Sequence, residues 1–231
     1  MTEQANSTQR KSKKGVLHLF SALFAALFIS LILSIFFEWV GISFFWPEQG
    51  HLHSQKMMLT ELNWLSDSAT RSFFALSPKE LAESIALATH DILFVKTGLQ
   101  SWFSHPENYS SWERWIYHYG QAYIKSIVYI IIVFLVRLVV VIFTSPLFIL
   151  AAFAGVTEGL MLRDLRKFGA GRESSFLYHR ARKFITPVMI GSWILYLSIP
   201  VSIYPNLILV PAAFLFGLSI CITAASFKKY F

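Results

Sequence analysis

The stretch Ile124–Gly155, IKSIVYIIIVFLVRLVVVIFTSPLFILAAFAG, decides the fold class. A helix needs roughly 17 to 25 predominantly apolar residues to cross a bilayer, and this stretch exceeds that length. Every backbone polar group in lipid must find a partner within its own segment, which a helix provides. The stretch therefore predicts a transmembrane helix.

Three further apolar runs of similar character lie at 16–37, 184–202 and 205–225. The chain is 55% hydrophobic and only 14% charged, whereas soluble domains carry about 25% charged residues. The predicted fold class is all-α, a polytopic membrane protein with four transmembrane helices and a helical extracytoplasmic domain between the first and second. The remaining predicted segments are a basic N-terminal segment 1–15, the extracytoplasmic domain 38–123, a basic loop 156–183 and a tail 226–231.

Charge distribution predicts the orientation of these segments. Residues 156–183 hold seven Lys or Arg against three acids, and residues 1–15 hold four against one. Residues 38–123 hold five Lys or Arg against nine Asp or Glu. Because Lys and Arg accumulate on the cytoplasmic side, both termini and the loop are expected in the cytosol of a bacterial inner membrane. The net charge of +7 is then a topology signal, and no direct nucleic-acid partner is expected.

The 38–123 region carries helix signals of its own. Ser77-Pro78-Lys79-Glu80 is a capping box with proline at the first helical position. An apolar stripe at helical spacing follows it, formed by Leu81, Ile85, Ala88, Ile92, Val95 and Leu99. Gln55–Phe74 predicts a weaker helix, and a second capping box predicts one long helix from about Ser111 into the membrane.

Arg137 is the only charge deep within any of the four apolar runs. An arginine at the centre of a bilayer costs about 2.5–3.5 kcal/mol on translocon scales, so it needs a partner. No acid lies within the other three runs. The expected partners are a backbone carbonyl, a Ser or a Tyr, with the side chain extending towards the outer face; contact with another subunit is the alternative.

Small residues recur at spacing four on three of the predicted membrane helices. Such ridges let two helices approach closely in lipid, where close packing instead of a hydrophobic driving force holds helices together. The predicted packing residues are Ala22, Ala26, Ser30, Ser34, Gly155, Gly159, Ala213 and Gly217. The pattern fits both a bundle within one chain and contacts with neighbouring subunits, so homo-oligomerisation stays open.

Motifs for chemistry are missing from the sequence. It contains no nucleophile elbow, Walker A loop or dinucleotide fingerprint, and Cys221 is the only cysteine. The histidines near His51 and His53 lack helical metal-ligand spacing and are expected to be solvated or interfacial. We therefore expect a non-enzyme without catalytic, cofactor or metal sites.

The basic loop 156–183 is the predicted partner-binding site. Its candidate residues are Arg163, Asp164, Arg166, Arg172, Glu173, Tyr178, His179 and Arg180. Cations in such a loop bind anionic lipid as point charges or acidic protein surfaces through bidentate pairs. The glycines and serines around Arg172 suggest a shaped loop and favour protein at that position.

The loop motifs resemble a known family of four-helix inner-membrane proteins of unknown function, encoded on integrating conjugative elements and related conjugative plasmids. The resemblance rests on the stretches 157–166, 171–175, 178–182 and 227–230. It implies an accessory inner-membrane part of a type IV secretion-like DNA-transfer apparatus, encoded close to its coupling ATPase. The resemblance assigns no catalytic residues.

Three hypotheses follow from these observations. The first is a non-enzymatic subunit of a conjugative DNA-transfer apparatus, whose partners are the bilayer, other subunits and especially the coupling ATPase. The second is a small membrane transporter or membrane enzyme that uses Arg137 and the outer histidines. The third is a surface-exclusion or immunity factor acting through 38–123. A donor defect would favour the first hypothesis, and a changed recipient would favour the third.

Overall fold

The computed structural model describes residues 16–67, 78–104, 111–168 and 175–227, and within these ranges every regular element is a helix. The all-α prediction is thereby confirmed. The helices are α1 (Val16–Val40), α2 (His51–Asp67), α3 (Pro78–His90), α4 (Leu99–Ser104), α5 (Ser111–Phe168), α6 (Ser175–Ser198) and α7 (Pro205–Ala225). Helix α3 begins at the proline of the predicted capping box, and α5 is the long helix predicted from Ser111.

Helix α5 is the central element, and α1, α2, α3, α6 and α7 all pack against it. Helix α7 lies along its second half, where glycines allow the two backbones to approach. Helices α2 and α3 lie along its first half, around the buried residues Val128, Ile132, Val136 and Val139. One long helix thus carries two groups of partners at different levels.

The end of α5, the start of α6 and the end of α7 lie at one end of the molecule, which we call the loop end. Helix α7 finishes beside Gly159, because a Cβ there would lie 3.2 Å from the backbone nitrogen of Ala225. Helix α1 runs antiparallel to α5, since Ile35 packs near Ile130 while Trp39 contacts Tyr123 further towards the start of α5. The end of α5, the end of α7 and the start of α6, where Tyr178 contacts Phe227, therefore lie at the loop end, and the start of α1 is directed towards it.

The apolar part of α5 is too long for a single bilayer crossing. Its span candidate, Gly120–Arg166, contains 47 residues, which extend roughly 70 Å at 1.5 Å per residue. A hydrocarbon core is only about 30 Å thick. Protein therefore covers a large part of this helix, and α2 and α3 supply that cover. The predicted boundary between outer domain and membrane, at 123/124, falls within the covered region.

Three helical segments are long and apolar enough to cross a membrane: Leu23–Phe45, Gly120–Arg166 and Pro205–Ala225. These helices indicate a membrane-associated protein. The predicted third span, 184–202, falls mostly within α6, which begins earlier, at Ser175, and ends at Ser198. Residues 199–204 turn the chain around Pro200, which cannot donate a helical hydrogen bond. The first predicted span, 16–37, also continues further, through Val40 and a π-helical turn to Phe45.

A second π-helical turn, Asp91–Lys96, follows α3 directly and changes which residues of the predicted apolar stripe are buried. A π turn closes its hydrogen bonds one residue later than an α turn, so it shifts the side-chain phase of the residues that follow. Phe94 is buried as a result, whereas Ile92 and Val95 are about half exposed. Ala82 and Ala86 are the buried residues of α3 in its contact with α5, and Leu81 and Ile85 of the stripe pack beside them partly buried.

Candidate functional site

Arg137 lies on α5 where α2 and α3 meet the rest of the bundle, and its side chain is only 1% exposed. Its partner is Glu61 of α2, which is also buried. The guanidinium donates from Nε to both carboxylate oxygens at 3.0 Å and from Nη2 to Oε1 at 2.6 Å. This two-nitrogen geometry is the strong form of an arginine–carboxylate pair.

The remaining guanidinium donors bind backbone carbonyls at the end of α6. Nη1 donates to the oxygens of Tyr196 at 3.2 Å and Ile199 at 2.5 Å, and Nη2 donates to that of Val201 at 3.0 Å. These carbonyls are free because a helix leaves its last C=O groups without intrahelical partners. All five N–H groups of Arg137 thus have acceptors, and the arginine joins α2, α5 and the α6–α7 turn.

The expectation of carbonyl partners for Arg137 is met, but the carboxylate was not foreseen. Glu61 lies outside the four apolar runs, on α2, within the predicted extracytoplasmic domain. Burial raises the pKa of the Glu61 carboxyl, while the charge and hydrogen bonds of Arg137 act against that rise. With every donor of Arg137 engaged, the geometry is that of a structural clamp between three elements.

A second polar cluster links the end of α1 to the start of α2. Nδ1 of His53 lies 3.2 Å from Oε1 of Glu38, whose side chain is fully buried. The His53 ring stacks on Trp46, with ring centroids 4.0 Å apart. Trp46 in turn covers Gly41, where any Cβ would collide with the indole. This cluster fixes the chain reversal after α1, and His53, predicted to be solvated or interfacial, is partly buried and pairs with Glu38.

Four of the predicted packing residues, Gly155, Gly159, Ala213 and Gly217, lie where α5 and α7 meet. A Cβ on Gly217 would lie 2.8 Å from the carbonyl oxygen of Ala151, and one on Gly159 would lie 2.6 Å from that of Cys221. Gly155 faces the backbone of Gly217 in the same way. Ala213 is buried in α7. These positions form the α5–α7 contact, which lies within one chain.

Helix α1 presents its own small residues to the bundle. Ser30 and Ser34 are fully buried, and Ser198 of α6 donates a hydrogen bond of 3.3 Å to the carbonyl oxygen of Ser30. Ala26 is half-buried. The side chain of Ala22 lies outside the described part of the structure.

The predicted partner-binding residues divide between the end of α5 and the start of α6. Arg163 forms a surface ion pair with Asp164 at 3.5 Å, and Arg166 is half-buried nearby. Tyr178 accepts a hydrogen bond of 3.2 Å from Arg182. The ring of Tyr178 also contacts the rings of His179 and Phe227.

Arg180 of α6 is exposed. Arg172 and Glu173 lie outside the described residues. The structure therefore groups Tyr178, His179 and Arg182 with the end of the chain, while Arg163 and Asp164 form their own surface pair.

Apolar residues at the end of α5 were not among the sequence candidates. Met161, Leu165 and Phe168 lie at positions i, i+4 and i+7 and are 56%, 55% and 92% exposed. The signal for them was the same helical spacing used for α3. The basic residues between these apolar positions made the spacing difficult to recognise.

An all-helical architecture with three long apolar segments and a buried ionic clamp defines this chain as a helical membrane-associated protein. The family model of IncC plasmid conjugative DNA transfer proteins, described as DtrJ-like, matches residues 45–228. The chain belongs to this family of conjugative DNA transfer proteins, and the resemblance seen in the loop motifs is confirmed. Neither the curated proteins nor the solved structures gave a match.

Proposed function

We propose that this protein is a non-enzymatic accessory subunit of the inner-membrane part of a conjugative DNA-transfer apparatus. The observation that carries the proposal is the family match over residues 45–228. The fold adds support, because the buried charged side chains at its centre, Arg137 and Glu61, hold helices together. The proposed role is to present surfaces to other transfer subunits on both sides of the membrane.

The proposed topology has four crossings, with both termini in the cytosol and residues 38–123 in the periplasm. Helix α6 is included because it lies antiparallel to α7, and no charged residue follows Lys183 within it. The loop end, where α7 finishes, carries Arg163, Arg166 and Arg180. Basic residues gathered at one end support placing that end in the cytosol.

The proposed cytosolic partner is the coupling ATPase, bound at the 156–183 loop. Arg180, Arg182 and Lys183 are exposed on the first turns of α6 and offer cations to an acidic protein surface. A guanidinium can form two parallel hydrogen bonds with a carboxylate, which an ammonium cannot. Anionic lipid, which responds to charge alone, is the competing partner for these residues.

Co-purification in mild detergent tests the proposed partner. Wild-type protein should bring down the coupling ATPase, identified by mass spectrometry, and Arg172→Lys should reduce its yield several-fold. Arg10→Lys, in the basic N-terminal segment, is the matched control and should leave the yield unchanged. A yield that is the same for Arg172→Lys and wild type would assign the loop to lipid, and absence of the ATPase from the wild-type eluate would contradict the proposed partner.

A further inference from the structure

The end of α5 extends past the end of α7 and carries an exposed apolar face. Helix α7 ends beside Gly159, as the contacts of that glycine show. Phe168 lies nine residues further along α5, which corresponds to about 13 Å at the rise of an α-helix. Since α7 is long enough for one hydrocarbon thickness, the last turns of α5 project beyond the membrane core.

The exposed face of this projection is an apolar stripe formed by Met161, Leu165 and Phe168. The stripe lies on the opposite side of α5 from Gly159, which contacts α7. Helices α6 and α7 therefore leave it uncovered within the described residues. Spacing of i, i+4 and i+7 is the arrangement by which one helix receives the apolar face of another.

Two exposed acidic side chains border the stripe. Glu158 lies one turn before Met161, and Asp164 lies one turn before Phe168; the Asp164 side chain is 54% exposed and pairs with Arg163 at 3.5 Å. Carboxylates at the edges of an apolar face repel anionic lipid headgroups and attract cations. Charge complementarity therefore favours a protein ligand with basic flanks over a lipid surface.

We propose that the Met161–Leu165–Phe168 stripe is a docking site for an amphipathic helix of a cytosolic protein partner, one whose apolar face is flanked by Lys or Arg. This inference rests on the proposed function, because it specifies where a cytosolic partner binds. The guest helix inserts apolar side chains around Phe168 and places its cations near Glu158 and Asp164. The exposed cations of α6 bind elsewhere on the same partner.

Site-specific photo-crosslinking tests this site in cells that carry the complete transfer system. p-Benzoyl-phenylalanine replaces Phe168 in one strain and Phe153 in another; both are exposed phenylalanines of α5, 92% and 69% exposed, but Phe153 lies level with α7. Phe168 is expected to give a protein adduct that maps to a basic amphipathic segment, whereas Phe153 gives lipid adducts. A lipid adduct at Phe168, or no protein adduct, overturns the proposal.

A second variant pair keeps the test specific to the stripe. Leu165→Gln should reduce the Phe168 adduct at least tenfold, while Leu160→Gln should leave it unchanged. Leu160 is also exposed but lies about 140° around the helix from Leu165. Equal effects of the two substitutions also overturn the proposal. If deletion of the gene leaves DNA transfer intact, the proposed function fails; if deletion abolishes transfer but Phe168 captures only lipid, this inference alone fails.

Discussion

The guanidinium of Arg137 and the carboxylate of Glu61, 76 positions apart in the sequence, form a buried ion pair with three N–H···O contacts. The pair connects α2 to the central helix α5. The same guanidinium also binds carbonyls of the α6–α7 turn. One side chain, that of Arg137, therefore joins α2 to α5 and to the α6–α7 turn.

Removing either partner of this pair should be costly. Glu61→Leu leaves a buried guanidinium without its counter-charge, and Arg137→Met leaves a buried carboxylate, so each should destabilise the protein by about 3–5 kcal/mol. The double variant Glu61→Leu with Arg137→Met removes both charges and should be more stable than Glu61→Leu alone. Thermal unfolding in detergent measures the three differences.

The surface pair Lys79–Glu83, 3.8 Å apart and about half exposed, provides the control for this cycle. Glu83→Ala should change stability by less than about 1 kcal/mol, because solvent screens an exposed ion pair. If the losses of stability in the two single variants, Glu61→Leu and Arg137→Met, add up in the double variant, the two side chains do not stabilise each other.

Two glycines, Gly217 of α7 and Gly191 of α6, should respond in opposite directions to the same substitution. Gly217→Ala places a Cβ 2.8 Å from the carbonyl oxygen of Ala151 and must separate α5 from α7, so it should destabilise by about 1–3 kcal/mol. Gly191→Ala meets nothing within 4 Å and should stabilise by about 0.5–1 kcal/mol through helix propensity. Unfolding temperatures in detergent decide the signs; a harmless Gly217→Ala would contradict the close α5–α7 contact.

His51 should make the protein less stable in mild acid. Its burial, and secondarily the charge of Lys125, lower its pKa from the usual 6.5. The unfolded chain therefore binds a proton near pH 6.5 that the folded chain does not yet bind, so stability is full above that pH and falls as the pH drops towards the folded-state pKa. His51→Gln should flatten this part of the stability–pH profile relative to wild type. An unchanged profile would show that His51 titrates equally in both states.

The proposed orientation can be tested with single cysteines in a Cys221→Ala background. Ser84, exposed on α3, should react as cysteine with an impermeant thiol reagent in intact spheroplasts. Cysteine at His179, exposed at the start of α6, should react only after the membrane is permeabilised. The reverse pattern would invert the topology and place the loop end outside the cytosol.

Local signals predicted the helices well, because each depended on a few neighbouring residues. Proline at position 78 and the capping box near Ser111 marked helix starts that the structure contains. The cover on α5 could not be predicted in the same way. An apolar run looks the same whether lipid or protein surrounds it, so nothing in 124–155 revealed that α2 and α3 pack there.

The pairing of Arg137 illustrates why the rest of the site was missed. Glu61 lies in a weakly amphipathic helix, and no local pattern marks an acid that a distant arginine will bind. The π-helical turn at 91–96 is a similar case, because its extra residue per turn changes which side chains of the apolar stripe face inward. Both features depend on tertiary packing instead of local sequence.

The central claim is that this chain serves conjugative DNA transfer as a subunit of the donor's apparatus. The most direct measurement is the transfer frequency of an element from which the gene has been deleted, with the intact gene supplied in trans as the control. Deletion in the donor should lower the frequency by at least a hundredfold, and the supplied gene should restore it, while its presence in the recipient should have no effect. Normal transfer from the deleted donor, or an effect confined to the recipient, would contradict the account and favour an exclusion factor.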